Sequence, residues 1–444
     1  MSQKVHFIGI CGSGASGAAI AAKKSGFDVS GCSLSTDTPY SAQLYAAGIP
    51  VTTGHDESHV ADADMIVSQA PSGLVPSARK ECAVAESAGK LMTWQEFLGK
   101  HIFPGRQTIA VCGTHGKTTT TSMVAHVMEY AGLDPTAFVG AIVPAWNSSN
   151  RFGNSDWAVI EADEYANNFS AYQGKHIILN NIEMEHPEFF KDFEHYKETF
   201  CSFLANAIPG GVLVYNADDK NVVDTINCFA GKKIPFSIKD IKINANVDGQ
   251  DFNDFHINLL GTHNVANAMA TITLMREIGI SDDVIRKALA TFRGAGHRME
   301  KLYADDMVTI YDDYAHHHTQ AKNGILAVRA AHPDSKIIVI YEPHQISRYT
   351  QNTSETLAGL ALADDAIIMD FWRGREAHLV VPNAEADIKS RDIKNVKFMP
   401  DDEWMIQAVA GAVDRKSVIL VMGAGRSWKI AKQLVEIFEQ KASK

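Results

Sequence analysis

The sequence predicts an α/β protein whose sheets are mostly parallel and whose 444 residues form three domains. Two observations carry this prediction. The length is sufficient for about three domains of ordinary size, and short apolar segments alternate with helical patterns along the chain. Glycine-rich loops interrupt this alternation, and from the breaks around them we place the domains at residues 1–103, 104–297 and 298–444.

The composition excludes several classes of protein. Hydrophobic residues make up 45% and charged residues 21% of the chain, as in an ordinary globular protein. Acidic residues outnumber basic residues by 52 to 41, so we expect no nucleic-acid partner. No apolar segment approaches the length of about 18 residues that a membrane helix needs, so we expect no membrane partner either.

The cysteines are scattered without the paired spacing of a metal or redox motif. In a chain of this length they do not form a disulfide framework, and we expect buried, reduced thiols in a cytoplasmic protein. The six residues are Cys11, Cys32, Cys82, Cys112, Cys201 and Cys228.

The first glycine-rich loop predicts a Rossmann-like domain that binds a nucleotide. It follows an apolar strand at 5–10, spaces Gly12, Gly14 and Gly17 as G-x-G-x-x-G, and precedes an alanine-rich helix and a second strand. Such a loop either packs helix and strand closely or holds a diphosphate at the helix N-terminus. The acidic residue that a dinucleotide needs about 20 residues later is missing, since Ser33 follows the second strand. A UDP-type diphosphate is therefore favoured over NAD, and a packing turn remains the alternative.

The second loop predicts a central domain of the P-loop ATPase type. It covers residues 113–120 and follows a short apolar strand at 108–112. Its amides can surround phosphate oxygens, Lys117 can approach the β- and γ-phosphates, and the Thr118 hydroxyl can ligate Mg²⁺. Val111 stands where strict spacing requires a glycine, so the loop is a variant P-loop.

Polar side chains follow two further strands of this domain. Glu161 ends the strand at 157–160, and His186 closes the loop that follows the strand at 177–179. Carboxyl ends of parallel strands meet at the ligand-binding edge of a sheet. These side chains can therefore hold magnesium, although His186 is an unusual ligand for Mg²⁺ and can equally be a loop histidine with protein partners.

The remaining candidates lie near the last domain, whose alternating strands and helices predict a second Rossmann-like sheet. Asn264 opens a helix and is either its N-cap or a contact for adenine. Arg298 follows the break at 294–297 and can reach a transferring phosphoryl group. The segment 312–317 ends a strand, and its crowded polar residues favour a site.

Together these motifs resemble the Mur ligases, the ADP-forming amino-acid ligases of peptidoglycan synthesis. The similarity spans the whole chain. The motifs, in order, are GTHGKTTTT (113–121), EADE (161–164), the loop around His186, GTHN (261–264), HRME (297–300) and DDYAHH (312–317).

Within the family, the chain is similar to the branch that acts directly on UDP-N-acetylmuramate. Phe200 stands where ligases of later steps carry a carbamylated lysine. EADEY (161–165) and LNNIEMEH (179–186) resemble the ligase that recycles a tripeptide, whereas PHQISRYT (343–350), DFWRGREA (370–377) and VMGAG (421–425) are closer to the alanine-adding ligase, which we favour. Ser33 replaces an aspartate and His318 replaces a proline of the family.

The resemblance implies that ATP and Mg²⁺ serve to join L-alanine, or alternatively a tripeptide, to the lactyl carboxylate of UDP-N-acetylmuramate through an acyl phosphate. The implied ATP contacts are Gly113, Thr114, Gly116, Lys117, Thr118, Thr119, Asn264, Arg298 and Asp312. The implied UDP-sugar contacts are Gly12, Ser13, Gly14, Gly17 and Ser68, and the implied metal ligands are Thr118, Glu161 and His186.

The catalytic candidates are Lys117, His186, Arg298, His316 and Arg348, the last two for the amino-acid carboxylate or the intermediate. His317 is a weak candidate for the general base. We expect a monomer or weak homodimer. Two other functions stay open at this stage: a nicotinamide dehydrogenase that uses the first glycine loop, and a UDP-sugar sensor without turnover, which Ser33 suggests.

Overall fold

The structure is a computed structural model that describes residues 2–38, 40–69, 76–374 and 376–442. Arg375, within the 370–377 motif, lies outside the described residues. The chain divides into two compact units. The first unit comprises Met1–Glu183, Asp192–Phe236 and Ala270–Ser281, and the second comprises Met184–Lys191, Ser237–Met269 and Asp282–Lys444. These units cross the predicted domain boundaries, which therefore stay predictions.

The first sheet of the first unit is fully parallel, with strand order β3-β2-β1-β4-β5. Its strands are β1 (Lys4–Ile8), β2 (Asp28–Ser33), β3 (Val51–Thr53), β4 (Met65–Ser68) and β5 (Leu91–Thr93). Its helices are α1 (Ser13–Lys24), α2 (Ser41–Ala46), α3 (Pro76–Ser87) and α4 (Trp94–Phe97). Strand β1 ends two residues before the predicted end, because Gly9 turns the chain with a φ of +74°.

The second sheet of the first unit has seven strands in the order β12-β11-β10-β6-β9-β7-β8 and is parallel except for the β7–β8 pair. The strands are β6 (Gln107–Cys112), β7 (Thr136–Val143), β8 (Ser148–Arg151), β9 (Trp157–Glu161), β10 (His176–Leu179), β11 (Val212–Asn216) and β12 (Lys232–Phe236). The helices are α5 (Lys117–Tyr130), α6 (Phe193–Ala205) and α7 (Lys220–Thr225). Beyond α5, Gly132 adopts a φ of +77°, as expected of a residue that follows a helix C-cap.

The second unit contains a small antiparallel sheet and a larger, mostly parallel sheet with strand order β16-β17-β21-β18-β19-β20. The small sheet consists of β13 (Ile243–Asn246), β14 (Gly249–Phe252) and β15 (Phe255–Ile257). Two helices follow it, α8 (Thr262–Glu277) and α9 (Asp282–Thr291), and the C-terminal part of α8 belongs to the first unit. The strands of the larger sheet are β16 (Glu300–Ala304), β17 (Val308–Asp313), β18 (Lys336–Tyr341), β19 (Asp365–Ile368), β20 (Val396–Phe398) and β21 (Ser417–Met422). The remaining helices are α10 (His318–Ala331), α11 (Ile346–Gln351), α12 (Thr353–Leu360), α13 (Ala384–Ser390), α14 (Asp402–Gly411) and α15 (Ser427–Ala442).

The larger sheet of the second unit is buried on both faces. Along β18, Ile337 and Val339 pack into one apolar cluster, while Ile338 and Ile340 pack into another on the opposite face. Side chains alternate between the faces of a strand, so a strand covered on both sides needs a continuous apolar run. This confirms the interpretation of the apolar runs as buried parallel strands.

The expectation of six reduced cysteines is wrong for two of them. Cys201 in α6 and Cys228 in the short helix Ile226–Cys228 form a disulfide, with Cα atoms 5.2 Å apart. No sequence pattern indicates this pair, because the two positions are 27 residues apart and only the fold brings them together. The other four cysteines are free and buried.

Among the described residues, no helix is both long and apolar enough to cross a membrane.

Candidate active site

The polar residues predicted at the carboxyl edge of the central sheet do lie on neighbouring strands. Strand β6 pairs with β9 on one side and with β10 on the other. In this register Val111 lies opposite Glu161, and Cys112 lies opposite Leu179. The loop after β6, the acidic segment after β9 and the asparagines after β10 therefore share one edge of the sheet.

The loop after β6 has the backbone that its glycines predict. Gly113 and Gly116 adopt φ angles of +134° and +80°, which other residues rarely tolerate. A Cβ atom on Gly113 would lie 3.0 Å from the Asn181 carbonyl oxygen, so the segment that follows β10 packs directly against the loop. Helix α5 begins at Lys117, and the first-turn amides of a helix have no partners within it. The loop and the helix N-terminus together can bind phosphate oxygens.

Lys117 lies beside this loop in a dense set of acceptors. Its Nζ atom donates to the Gly113 carbonyl at 2.9 Å and to the Glu164 carboxylate at 2.5 Å, and Asp163 lies 3.6 Å away. Burial, the largest single influence, lowers the pKa of Lys117, but Glu164 and Asp163 together raise it above its ordinary value. The ammonium is thus a permanently charged group fixed beside the phosphate loop.

Thr118 and Glu161 lie together, as expected for ligands of one metal ion. The Thr118 hydroxyl donates to Glu161 Oε1 at 3.0 Å, and the Gly140 amide donates to Glu161 Oε2 at 2.6 Å. Hydroxyl and carboxylate oxygens are hard ligands of the kind that Mg²⁺ prefers. The donor set therefore fits magnesium. Thr119, the next residue of the loop, is buried in the first turn of α5.

Sequence reasoning missed two residues that hold the loop in place. The side chain of Glu164 is fully buried and accepts a hydrogen bond from the Tyr196 hydroxyl at 3.1 Å. Tyr196 in turn lies 2.9 Å from the Thr114 hydroxyl, so one chain of contacts joins α6 to the loop. Glu164 belongs to a recognised motif, and its position after the strand could have identified it. Tyr196 carries no such signal, because only the fold brings α6 to the loop.

Phe200 lies one helical turn from Tyr196 and is fully buried. Its ring meets the Phe169 ring edge-on at 5.3 Å and the Tyr196 ring at 5.2 Å. The position that the resemblance aligns with a modified lysine is therefore part of an aromatic cluster in this chain.

The first glycine loop has the close packing that was one of its two predicted roles. A Cβ atom on Gly14 would lie 2.4 Å from the Trp94 ring, and one on Gly17 would lie 2.3 Å from Asn150, so both glycines permit close packing of α1. Gly12 precedes the helix, which begins at Ser13, and the first-turn amides there remain suited to a diphosphate. Ser68 ends β4, next to β1, and donates to the carbonyl of the following residue at 2.8 Å.

In the second unit, a buried ion pair joins two segments far apart in sequence. Arg348 Nε donates to Glu185 Oε1 at 2.8 Å, and each side chain is 6% exposed. Arg348 Nη1 also donates to the His344 carbonyl at 2.8 Å. Burial, the largest influence, would raise the pKa of Glu185, but Arg348 and the nearby histidines hold it well below its ordinary value. Sequence reasoning singled out Arg348 and missed Glu185, although Glu185 directly precedes His186.

His316 lies close to this ion pair and has a defined proton position. Its Nδ1 atom lies 2.8 Å from the Tyr314 carbonyl oxygen, which can only accept, so Nδ1 carries the proton and Nε2 holds the lone pair. Burial, and then the charge of Arg348, keeps the pKa of His316 well below its ordinary value. The imidazole is neutral, and its ring lies 5.4 Å from the His344 ring.

The His317 side chain forms a hydrogen bond with the backbone. It is the N-cap of α10, where its side chain accepts from the Thr319 amide at 3.3 Å, and it is 1% exposed. His318, where the family has proline, is the first residue of α10. The second residue of the histidine pair thus caps the helix, which further weakens its candidacy as the general base.

His186 and the other two metal candidates belong to different compact units. His186 adopts a φ of +56° and its Nδ1 atom lies 3.5 Å from Glu188. It belongs to the second compact unit, whereas Thr118 and Glu161 belong to the first. Its role in metal binding stays a prediction.

Arg298, Asp312 and Asn264 also belong to the second unit. The Arg298 guanidinium lies 4.3 Å above the Tyr314 ring, and His297 hydrogen-bonds to Asp312, which raises the pKa of that histidine. Asp312 lies within β17, not after it, because pairing with β21 continues as far as Asp313. Asn264 donates to the Leu260 carbonyl at 2.8 Å from inside α8, so the N-cap interpretation is wrong.

Asp313 provides a test of the electrostatics in this region. Burial, opposed by Arg298 and assisted by Asp312, raises its pKa to about 7. Between pH 5 and 7 the folded protein therefore holds a proton that the unfolded chain has lost, and stability falls as the pH rises through this range. Asp313→Asn should remove this loss, so that the unfolding free energy of the variant rises by about 3 kcal/mol relative to that of the parent between pH 5 and pH 8.

Thermal unfolding of both proteins at the two pH values measures this effect. The exposed Asp306→Asn substitution is the matched control and should leave the pH dependence unchanged. A parallel pH dependence in Asp313→Asn and the parent would show that Asp313 does not titrate in this range.

The sequence matches known protein families and relatives over nearly its whole length. Family models match three consecutive parts of the chain: "Mur ligase family, catalytic domain" at residues 4–89, "Mur ligase middle domain" at 111–275, and "Mur ligase, glutamate ligase domain" at 297–425. A UDP-N-acetylmuramate–L-alanine ligase from Sulfurihydrogenibium sp. is 31% identical, over 99% of this chain and 98% of that protein.

Two solved structures share the fold over nearly the whole chain. The UDP-N-acetylmuramate-alanine ligase from Thermotoga maritima has a TM-score of 0.80 at 24% identity and covers 99% of both chains. A murein peptide ligase from Psychrobacter arcticus has a TM-score of 0.69 at 23% identity and covers 98% of both chains. At these identities the two structures confirm the α/β architecture and do not distinguish the amine substrate.

Proposed function

The chain belongs to the Mur ligase family, and from that premise we propose that it joins L-alanine to the lactyl carboxylate of UDP-N-acetylmuramate in peptidoglycan precursor synthesis. It is an ADP-forming ligase that depends on ATP. The observation that carries the choice of substrates is the full-length similarity to a relative with that name. The dehydrogenase and the sensor without turnover lose their support, because this relative is a ligase by name.

The proposed reaction has two steps. A carboxylate oxygen of the sugar nucleotide attacks the γ-phosphorus of ATP, which releases ADP and forms an acyl phosphate. The amine of L-alanine then attacks the acyl carbon, which releases phosphate and forms the amide. Both reactants of the first step are anions, so positive charge must offset their repulsion, and such electrostatic stabilisation is usually the largest catalytic contribution.

The phosphate loop supplies that charge in the first unit. The loop amides and the N-terminus of α5 bind the phosphates, and Lys117 places its ammonium beside them. Because Glu164 and the Gly113 carbonyl fix the Lys117 side chain, its charge needs little reorganisation when ATP binds. Gly116 permits the turn into the helix, and Thr114 anchors the loop to Tyr196. Asn264, Arg298 and Asp312 are proposed for adenine, the transferred phosphoryl group and the ribose.

Thr118 and Glu161 would hold the magnesium ion. When bound there, Mg²⁺ would contact phosphate oxygens and neutralise part of their charge. The hydrogen bond between the two side chains already places both oxygens at one point of the sheet edge. His186 is proposed as a further ligand on the family resemblance alone.

The amine end of the reaction is assigned to the histidine and arginine group of the second unit. His316 is neutral with its lone pair on Nε2, so it can accept a hydrogen bond from an ammonium or amine. Arg348 offers the positive charge that an amino-acid carboxylate requires, although Glu185 already neutralises part of it. Gly12, Ser13, Gly14, Gly17 and Ser68 are proposed to bind the UDP-sugar.

The choice of amine can be tested directly. We expect ATP-dependent phosphate release with UDP-N-acetylmuramate and L-alanine, and at least tenfold lower kcat/KM with L-alanyl-γ-D-glutamyl-diaminopimelate. The two amines are offered in separate assays with the same enzyme preparation, and the product is identified by mass spectrometry. A preference for the tripeptide would replace the proposed function with the recycling reaction.

Three broader expectations remain proposals. We propose domain boundaries near residues 103 and 297, a cytoplasmic location, where ATP is available, and a monomer or weak homodimer. Limited proteolysis tests the first, and sedimentation of the purified protein tests the last.

A further inference from the structure

Five side chains of the types that ligate transition metals lie together beside the first sheet, and the proposed reaction does not use them. The histidine–cysteine cluster consists of His6 on β1, Cys32 on β2, His55 after β3, His59 in the short helix Glu57–Val60, and Glu81 on α3. His55 and His59 are four residues apart in sequence, and the other three members come from three separate segments that the fold brings together.

Three of these residues form a tight inner group. Cys32 Sγ lies 3.3 Å from both His55 Nδ1 and Glu81 Oε2, and His55 Nδ1 lies 2.8 Å from Glu81 Oε2. Tetrahedral Zn²⁺, with bonds of about 2.0–2.3 Å, requires ligand atoms roughly 3.3–3.6 Å apart. The two separations from sulfur are about 0.2 Å shorter than a tetrahedral zinc site requires, and the third needs to widen by about half an ångström.

The two outer histidines can complete a coordination shell. His59 Nδ1 lies 2.9 Å from Glu81 Oε1. His6 is 4% exposed; its Nδ1 atom lies 2.9 Å from the Ser30 hydroxyl, while its buried Nε2 atom has no hydrogen-bond partner among the described residues. Nitrogen atoms of His6 and His59 lie within 4.8 Å of Cys32 Sγ and of each other. A buried polar atom without a partner is costly, and a metal–nitrogen bond would remove that cost.

The charge balance of the cluster also favours a cation. The Glu81 side chain is fully buried and that of His55 is 3% exposed. Glu81 accepts a hydrogen bond from the Asp56 amide at 2.8 Å. Among the described residues its ion-pair partners are the histidines His55 and His59, with no lysine or arginine. A buried carboxylate is stable only when it is paired or bound to a metal, and a divalent ion would offset both this carboxylate and a thiolate on Cys32.

We propose that Cys32, His55 and Glu81 bind a divalent transition-metal ion of the zinc class, with His6 and His59 as the candidates for the fourth ligand. The sulfur and imidazole donors select against Mg²⁺, which prefers oxygen ligands. The site is therefore distinct in kind from the magnesium site of the phosphate loop.

Cys32 links the proposed metal site to the first glycine loop. The Cys32 carbonyl accepts hydrogen bonds from the amides of Gly9 at 2.8 Å and Ile10 at 3.0 Å, so β2 holds the start of the first glycine loop. A metal ion on the Cys32 thiolate would fix this strand end and stabilise the domain. We expect its removal to lower the melting temperature and to raise KM for the UDP-sugar more than KM for ATP.

The test uses the full-length protein without an affinity tag, after dialysis against a chelator. We expect titration with Zn²⁺ to show one strong site per chain, and Co²⁺ to give a sulfur-to-cobalt charge-transfer band. Cys32→Ser should abolish the band and weaken Zn²⁺ binding at least about a hundredfold, since removal of even an outer contact of a metal ligand typically costs 10–100-fold. Cys82→Ala is the matched control, because Cys82 is also buried in this domain but lies outside the cluster.

Two results would overturn the proposal. One is the finding that the wild-type protein binds neither Zn²⁺ nor Co²⁺ with a stoichiometry of one ion per chain. The cluster around Glu81 would then be held by hydrogen bonds alone. The other is retention of the cobalt band in Cys32→Ser. If Cys32→Ser does not fold, His55→Gln gives the second test, and unchanged Zn²⁺ affinity in that variant would equally contradict the site.

Discussion

Replacement of Lys117 by methionine should reduce ATP-dependent phosphate release by about a hundredfold or more. Among the described residues of the phosphate loop, Lys117 is the one lysine or arginine, and its ammonium is fixed between the Gly113 carbonyl and Glu164. A single preorganised donor of this kind typically contributes about 3 kcal/mol to the stabilisation of a transition state. Steady-state phosphate release with all three substrates measures the effect, and the exposed Lys389→Ala substitution on α13 is the control.

The same substitution should also destabilise the protein, so the design must separate the two effects. Glu164 is fully buried, and removal of its cation leaves an unpaired charge at a cost of about 3–5 kcal/mol. Adding Glu164→Gln to Lys117→Met removes that charge while the amide can still accept from Tyr196. The double variant should therefore recover most of the melting temperature and none of the activity. Full activity in a folded Lys117→Met variant would exclude the loop from catalysis.

The sequence was sufficient wherever a local pattern sets the structure. The apolar strand before residues 113–120, the glycines of that loop and the lysine after them all depend on neighbours in sequence, and the structure agrees with each. Glu161 was placed correctly for a similar reason, because strand ends in a parallel sheet meet at one edge.

The sequence was insufficient wherever contacts join distant segments. Arg348 and Glu185 are separated by 163 residues, and their pairing depends on how the loop around His186 packs in the second unit. The Cys201–Cys228 disulfide and the histidine–cysteine cluster are further examples. Asn264 shows a different limit: the helix begins at Thr262, three residues earlier than an N-cap at Asn264 requires, so the apparent N-cap is an interior residue.

Replacement of Arg348 by methionine should have the second large effect, on both stability and activity. Arg348 and Glu185 are each 6% exposed, and loss of the arginine leaves a buried carboxylate without its cation. We expect a loss of about 3–5 kcal/mol at pH 8. We also expect KM for L-alanine to rise more than KM for ATP. The exposed Arg391, paired with Asp387 on α13, is the control, since breaking a surface pair costs about 1 kcal/mol or less.

The pH dependence of stability distinguishes a broken ion pair from lost packing. In the parent, the lowered pKa of Glu185 stabilises the fold above the ordinary carboxyl pKa, and this contribution disappears as the pH falls through the lowered value. Without Arg348, burial should instead raise the pKa of Glu185, so the variant should regain stability relative to the parent as the pH falls from 8 to 5.

Glu185→Gln in the Arg348→Met background removes the titrating group and should abolish this relative gain. The measurement is a double-mutant cycle. It compares the melting temperatures of the parent, both single variants and the double variant at the two pH values. If Arg348→Met lost equal stability at both pH values, the arginine would act through packing alone. Its assignment to the amino-acid carboxylate would then depend on the KM measurement, where an unchanged KM for L-alanine would contradict it.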